Sequence, residues 1–182
     1  MAQYTIAVVV GSLRKDSFNA KLASALEKLF PADFSFTRVQ IDDLPLYNQD
    51  NDGNPPAQVT RLKGQITAAQ GVLFVTPEYN RSIPGVLKNA IDHASRPYGQ
   101  SVWNGKPAGV IGVSPGSTGT AMAQQHLRNI LAYLNMPTLG QPETFIQHKD
   151  ALYDAAGNIG EASLKFLQGW VDAYVDWVKK HA

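Results

Sequence analysis

Cysteine is absent from the 182 residues of this chain. Its absence excludes disulfide bonds, a thiol redox centre, iron–sulfur clusters and cysteine-ligated zinc. The four histidines show no metal-binding spacing such as H-E-x-x-H. If a chain of this composition transfers electrons, a bound cofactor must carry them.

Charge is also scarce. Charged residues make up 17% of the chain, below the roughly 25% of typical soluble domains. Sixteen Lys and Arg against 15 Asp and Glu leave a net charge of +1. Without a basic excess the sequence predicts no nucleic-acid partner, and without an acidic block it predicts no charged tail.

Long hydrophobic runs are missing as well. The apolar run Ile6–Val10 is far shorter than the roughly 20 residues that a membrane helix needs. No positively charged segment precedes this run and no small-residue cleavage site follows it, so we expect neither a leader nor a membrane contact. The sequence therefore predicts a soluble cytoplasmic protein, with residues 1–182 forming a single domain.

Short apolar runs alternate with helical stripes along the chain. Strands are predicted at Ile6–Val10, Phe34–Ile41, Gly71–Thr76, Ala108–Ser114 and Thr144–Gln147. Amphipathic stripes predict helices around residues 18–29, 59–69, 86–94, 127–134 and 164–178. Five β–α units predict an α/β fold with a doubly wound, five-stranded parallel sheet and helices on both faces. Five strands favour the flavodoxin-like order 2-1-3-4-5.

Smaller features complete this segmentation. Ser82, shortly before Pro84, is expected to cap the third helix. Trp170 and Trp177 are seven residues apart on the last helix and are expected in the core. Asp42 and Asp43 follow the second strand, and we expect them to cap a turn or face water.

Ligands of such sheets bind beyond the carboxyl ends of the strands, which directs attention to three loops. The first is GSLRKDSFN at 11–19, which opens the first helix. Ser12, Ser17 and Asn19 offer neutral donors there, and Arg14 offers a guanidinium fork for phosphate. Its single glycine favours one terminal phosphate over a buried pyrophosphate. The alternative is an ordinary N-cap at Ser17 beside exposed cations.

The second loop, TPEYNRSIPG at 76–85, has prolines that restrict its backbone at both ends. It could hold a flat heteroaromatic ligand, or it could be a structural turn with Glu78 solvated. The third loop, SPGSTGT at 114–120, has small residues that let the backbone approach a ligand. Its alternative is a plain connection with Ser or Thr as N-cap.

Together these stretches resemble the NADPH-dependent FMN reductases, in particular the branch of quinone and chromate reductases related to azoreductases. The most specific match is TPEYNRSIPGVLKNAIDHASRP at 76–97, supported by GSLRKDSFNAKLA at 11–23, LPLYNQD at 44–50 and the loop from Ser114. The resemblance extends over nearly the whole chain. It implies a flavodoxin-like fold, one bound FMN per subunit, NADPH or NADH as electron donor, and homodimers or homotetramers.

The resemblance also implies site residues. The FMN phosphate would be held by Ser12, Arg14, Ser17, Phe18 and Asn19. The isoalloxazine ring would be held by Pro77, Glu78, Tyr79 and Asn80. The third loop would border the flavin with Ser114, Gly116, Ser117 and Thr118.

The sequence thus predicts an FMN-dependent NAD(P)H oxidoreductase that passes two electrons to a quinone or a similar acceptor, such as free flavin, azo compounds or chromate. One open flavin face serving both substrates predicts ping-pong kinetics. We name no catalytic side chain and no metal. Two alternatives remain: a flavodoxin-type electron carrier, and a cofactor-free interaction domain on the same scaffold. For subunit contacts we expect contributions from Arg128, Tyr133 and the fourth helix.

Overall fold

A parallel sheet of five strands forms the centre of the computed structural model, which describes residues 3–182. The strands are β1 (Tyr4–Val10), β2 (Phe34–Arg38), β3 (Gly71–Val75), β4 (Ala108–Ser114) and β5 (Phe145–Gln147). The α-helices are α1 (Phe18–Glu27), α2 (Ala57–Ala68), α3 (Gly85–Ala94), α4 (Ala121–Tyr133) and α5 (Glu161–His181). Short 3₁₀ helices cover Gln49–Asn51 and Asp150–Leu152.

The strand order is β2-β1-β3-β4-β5, and all four pairings are parallel. The predicted fold class and strand order are therefore confirmed. The order reverses between β1 and β3, where connections leave to opposite sides of the sheet and open a crevice at the carboxyl edge. The first two predicted ligand loops follow the two strands that flank this crevice.

Helices cover both faces of the sheet, which explains why the central strands are apolar along their whole length. On one face α1 and α5 pack over a core that includes Trp170 and Tyr174. On the other face α2, α3 and α4 cover a core that includes Phe74 and Trp103. The prediction for Trp170 is confirmed. Trp177 is half-buried at the margin of the same core and donates its indole N–H to the Pro137 carbonyl at 2.8 Å.

The second strand is shorter than predicted. It ends at Arg38 because its pairing with β1 stops there, at the contact of Val8 with Arg38. Val39 and Ile41 are buried against the second core instead of extending the sheet. Asp43 then binds Arg61 through both carboxylate oxygens, at 2.6 and 2.8 Å. The guanidinium lowers the pKa of the Asp43 carboxyl, so this residue pairs with a cation and is not simply solvated.

The central strands crowd together where they end. A Cβ placed on Gly11 would lie 2.5 Å from the Thr76 hydroxyl, and one on Gly112 would lie 2.0 Å from the Thr76 carbonyl oxygen. Only glycine fits this close approach. The ends of β1, β3 and β4 are consequently held in contact, and the three loops leave the sheet side by side. No helix within residues 3–182 is long and apolar enough to span a bilayer.

Candidate cofactor-binding site

The first loop ends at a well-formed helix N-terminus. Ser17 accepts a hydrogen bond from the Ala20 N–H at 3.2 Å, which confirms it as the N-cap of α1. Within residues 3–182, the backbone N–H groups of Ser12, Leu13 and Arg14, and of Phe18 and Asn19 in the helix, donate to no protein acceptor. Such free N–H groups at the positive end of a helix dipole form an anion-binding surface.

Asn19 lies beneath this surface, on the inner side of α1. Its side chain is 2% exposed. Its Nδ2 donates to the Val113 carbonyl at 2.9 Å, and its Oδ1 accepts from the Val113 N–H at 3.0 Å. The amide therefore ties the start of α1 to β4. Each of the two polar atoms of its side chain thus makes a hydrogen bond to Val113. The sequence alone did not indicate this structural role.

The second loop contains a tight turn. Tyr79 and Ser82 exchange two backbone hydrogen bonds, of 2.9 and 3.0 Å. Between them Asn80 and Arg81 both adopt positive φ, at 52° and 64°. Left-handed backbone is common for Asn and unfavourable for Arg. The turn presents the Tyr79 ring at the edge of the site with half of its surface exposed.

Two side-chain contacts fasten this loop to α4. Glu78 Oε2 accepts the Ala123 N–H at 3.0 Å, in the first turn of α4. Ser82 Oγ lies 2.9 Å from His126 Nδ1 on the second turn. Two interpretations are thereby corrected. Ser82 does not cap α3, whose N-cap is Pro84 without a side-chain bond, because its hydroxyl faces α4. Glu78 is not simply solvated, because it supplies the cap that α4 lacks at Thr120.

The third loop is open and lined by small side chains. Its tip, Gly116–Thr118, is exposed. A Cβ added to Gly116 would meet only the Ser114 hydroxyl, at 3.6 Å. Gln147 from β5 donates to the Pro115 carbonyl at 3.2 Å and holds the loop from outside. Backbone groups at this tip are accessible to a ligand.

Two aromatic residues from the segment after β5 contact Phe18 at the edge of the site, and neither was predicted from the sequence. The His148 ring stacks on Phe18 with centroids 3.9 Å apart. The Tyr153 hydroxyl donates to the Phe18 carbonyl at 3.4 Å. The predicted parallel sheet could have indicated them, because it places the carboxyl end of β5 at the same edge of the sheet as the three loops.

The assembled site has two different ends. Free N–H groups and the exposed Arg14 suit one phosphate, while the rigid turn at Tyr79 and the open loop at Gly116 suit a flat ring. FMN carries both groups, so the residues present fit this cofactor. Among residues 3–182, no three His, Asp or Glu side chains cluster in a way that could hold a metal ion.

Comparison with known proteins identifies the family. The model of the NADPH-dependent FMN reductases matches residues 4–151. The chain belongs to this family. It is therefore an oxidoreductase enzyme, and the predicted FMN and NAD(P)H are confirmed as its cofactor and electron donor. Membership favours an enzyme over the electron carrier and the cofactor-free domain.

Two similar relatives in the family are named as quinone reductases. A 2-hydroxy-1,4-benzoquinone reductase from a Burkholderia species is 57% identical over 175 residues, which are 96% of each chain. A quinone reductase from Pseudomonas putida is 48% identical over 177 residues, covering 97% of this chain and 95% of the relative.

A solved structure agrees with the fold throughout. FerB, a flavoenzyme NAD(P)H:(acceptor) oxidoreductase from Paracoccus denitrificans, superposes with a TM-score of 0.94 at 51% identity, covering 98% of both chains. A WrbA-like flavodoxin from Agrobacterium tumefaciens superposes at 0.62 with 17% identity, over 98% of this chain and 99% of the other. The second likeness shows the fold alone.

The Asn19 contact gives a stability prediction. Asn19→Ala leaves the buried Val113 N–H and carbonyl without partners, and should lower the free energy of unfolding by about 2–3 kcal/mol. Urea unfolding of the flavin-free protein measures the change. Lys21→Ala, on the exposed side of the same helix, serves as control and should shift stability by less than about 0.5 kcal/mol. Equal effects of the two substitutions would contradict a special role for Asn19.

Proposed function

We propose that this FMN reductase family member is an NAD(P)H:quinone reductase with a ping-pong mechanism. The observation that carries the proposal is the open rim of the site. Tyr79 is half exposed and the Gly116–Thr118 tip is exposed, so a flat cofactor between the two loops keeps one face accessible. The names of the two relatives at 57% and 48% identity support a quinone as acceptor. Free flavin, azo compounds and chromate would suit the same open face.

FMN, when bound at this site, would supply the chemistry for two-electron transfer from NAD(P)H to the acceptor. The protein binds and orients it. At the phosphate end we propose Arg14, Ser12, the N–H of Phe18 and the hydroxyl of Ser17 as donors. The Ser17 oxygen accepts from Ala20 N–H, which leaves its own O–H for the anion.

Asn19 was expected to contact the phosphate, and we propose that its side chain has a supporting role in addition. Both its amide oxygen and its amide nitrogen are bonded to Val113, below the surface that the phosphate would contact. Asn19 then sets the position of the α1 N-terminus relative to β4. The phosphate would then be bound by the free backbone N–H of Asn19 and by the neighbouring groups that its side chain holds in place.

At the ring end we propose contacts from Pro77, Glu78, Tyr79 and Asn80 on one side. Ser114, Gly116, Ser117 and Thr118 would border the ring on the other side. The Glu78 carboxylate bonds the α4 N-terminus through one oxygen, so its share in holding the ring comes from its backbone or its second oxygen. We assign no side chain as proton donor, because water reaches the open rim.

A second copy of the chain is the partner that we propose for the face formed by α3 and α4. Tyr98 and Tyr133 are 85% and 83% exposed there, and both line an open depression of about 910 Å³. Large exposed aromatic side chains are typical of the cores of protein interfaces. Arg128 points back into its own chain, donating to the Leu139 carbonyl at 2.7 Å, so we propose Tyr133 as the main interface residue of the pair.

The oligomer proposal has a direct test. Light scattering at micromolar concentration should give two or four times the 19.8 kDa mass of one chain. Tyr133→Glu places a charge in the proposed interface and should shift the mass toward the monomer. A monomeric mass for the unaltered protein would contradict the proposal.

Steady-state kinetics test the reductase proposal. With NADPH and a benzoquinone varied together, reciprocal plots should give parallel lines, because each substrate uses the same open face in turn. Intersecting lines would contradict the ping-pong scheme. No NAD(P)H oxidation with any quinone, from a protein that retains FMN, would contradict quinone reduction itself.

Arg14 gives a test of the phosphate end. Arg14→Ala removes a charge-assisted contact worth about 1.5–3 kcal/mol, so FMN affinity should fall roughly ten- to a hundredfold. Flavin fluorescence quenching measures the dissociation constant. Lys15→Ala removes a neighbouring exposed cation and is the matched control, with little change expected. An unchanged affinity of the Arg14 variant would restore the interpretation of Arg14 as a plain surface residue.

A further inference from the structure

A stack of side chains stands beside the phosphate end of the site. The His148 and Phe18 rings lie 3.9 Å apart between centroids, with 31° between their planes. The Arg14 guanidinium carbon lies 4.7 Å from the centroid of the same Phe18 ring. The three side chains come from the first loop, the first turn of α1 and the end of β5. Phe18 is the middle member, touched by both of the others.

Both aromatic members of the stack are fixed by the backbone. The His148 N–H donates to the Ser114 carbonyl at 2.8 Å, which extends the β4–β5 pairing by one residue. The Phe18 carbonyl accepts from the Tyr153 hydroxyl at 3.4 Å. Burial raises the pKa of Tyr153 to about 12, so this hydroxyl remains a donor at neutral pH. The position of the Phe18 ring therefore depends on the segment after β5.

Arg14, by contrast, is a long exposed side chain that is held, apart from the Phe18 ring, only from within its own loop. Its Nε and Nη2 both donate to the Asp16 carbonyl within its own loop, the former at 3.1 Å. A free arginine side chain samples many rotamers, and binding an anion would have to remove that freedom. The Phe18 ring restricts the guanidinium before any anion arrives, and the third nitrogen, Nη1, is left to donate to a phosphate.

We propose that His148 is a positioning residue for the phosphate contact of Arg14, acting through the ring of Phe18. The inference rests on the proposed function, since it concerns the same FMN phosphate. In this proposal His148 acts without a contact of its own to the cofactor. Its ring packs against Phe18 and keeps the Phe18 ring where the Arg14 guanidinium stacks. Removing the His148 ring would therefore make Arg14 more mobile without removing a hydrogen-bond donor to the phosphate.

The experiment compares FMN with riboflavin, which has the same ring and no phosphate. Full-length protein freed of flavin is titrated with each ligand, and flavin fluorescence gives the dissociation constants. His148→Ala should raise the dissociation constant of FMN about two- to tenfold, the range expected for one aromatic contact. It should leave that of riboflavin unchanged. His148→Phe keeps a stacking ring and should restore FMN affinity.

A double-mutant cycle shows whether the effect passes through Arg14. In the Arg14→Ala background, His148→Ala should have no further effect on FMN affinity, because the cation it positions is gone. Additive losses would overturn the proposal, and so would an equal loss of riboflavin affinity or a failure of His148→Phe to restore binding. If the unaltered protein binds neither ligand, the proposed function fails instead. Thermal unfolding of each variant shows that the fold is retained.

Discussion

The buried contact between the Asn19 amide and the Val113 backbone is the interaction on which the rest of the site depends. It joins the helix that presents the free N–H groups proposed to bind phosphate to the strand that leads into the third loop. Helix α1 also packs on the face of the sheet that α5 covers. A small rotation of α1 on that apolar face would cost little, because hydrophobic contact is non-directional. Two directed hydrogen bonds to one residue remove that freedom and fix the distance between the two ends of the site.

The second loop is fixed by a different means. Asn80 and Arg81 are consecutive residues in left-handed backbone, which Asn tolerates but which is unfavourable for Arg81 by about 1 kcal/mol or more. The turn persists because its neighbours are tied to α4, Glu78 through the Ala123 N–H and Ser82 through His126. Any movement of the first turns of α4 would consequently move the turn at Tyr79. If a second subunit covers α4, a shift of α4 at the subunit contact would also shift the residues that are proposed to hold the flavin ring.

The strands, their order and the position of the three loops could be predicted from the sequence, because the spacing of apolar residues differs between strands and helices. Apolar runs such as Ala108–Ser114 mark strands covered on both faces, and the strand count gives the order. The order then places the three loops at one edge. The boundary of β2 was wrong by three residues because Val39 and Ile41 are as apolar as paired residues, although the residue pairing with β1 ends at Arg38 and both side chains are buried in the second core.

The contacts of single polar side chains could not be predicted in the same way. Ser82 stands where a helix cap is common, yet its hydroxyl faces His126, 44 positions along the chain. Asn19 stands among the proposed phosphate donors, and its side chain bonds Val113, 94 positions away. Such partners are determined by the packing of helices on the sheet, which a local pattern does not contain. Local motifs locate the site, and long-range packing decides which of their residues face the ligand.

The two ends of the site therefore differ in the interactions that they offer to a ligand. The phosphate end uses charge and a helix dipole, which attract an anion strongly and are weakened by salt where exposed. The ring end uses fixed backbone and small residues, which give shape with little charge. The chain as a whole has no cysteine and a low fraction of charged residues. A site of this kind would hold its cofactor mainly by one end and leave the neutral end open, which is what the proposed exchange of two substrates at one face requires.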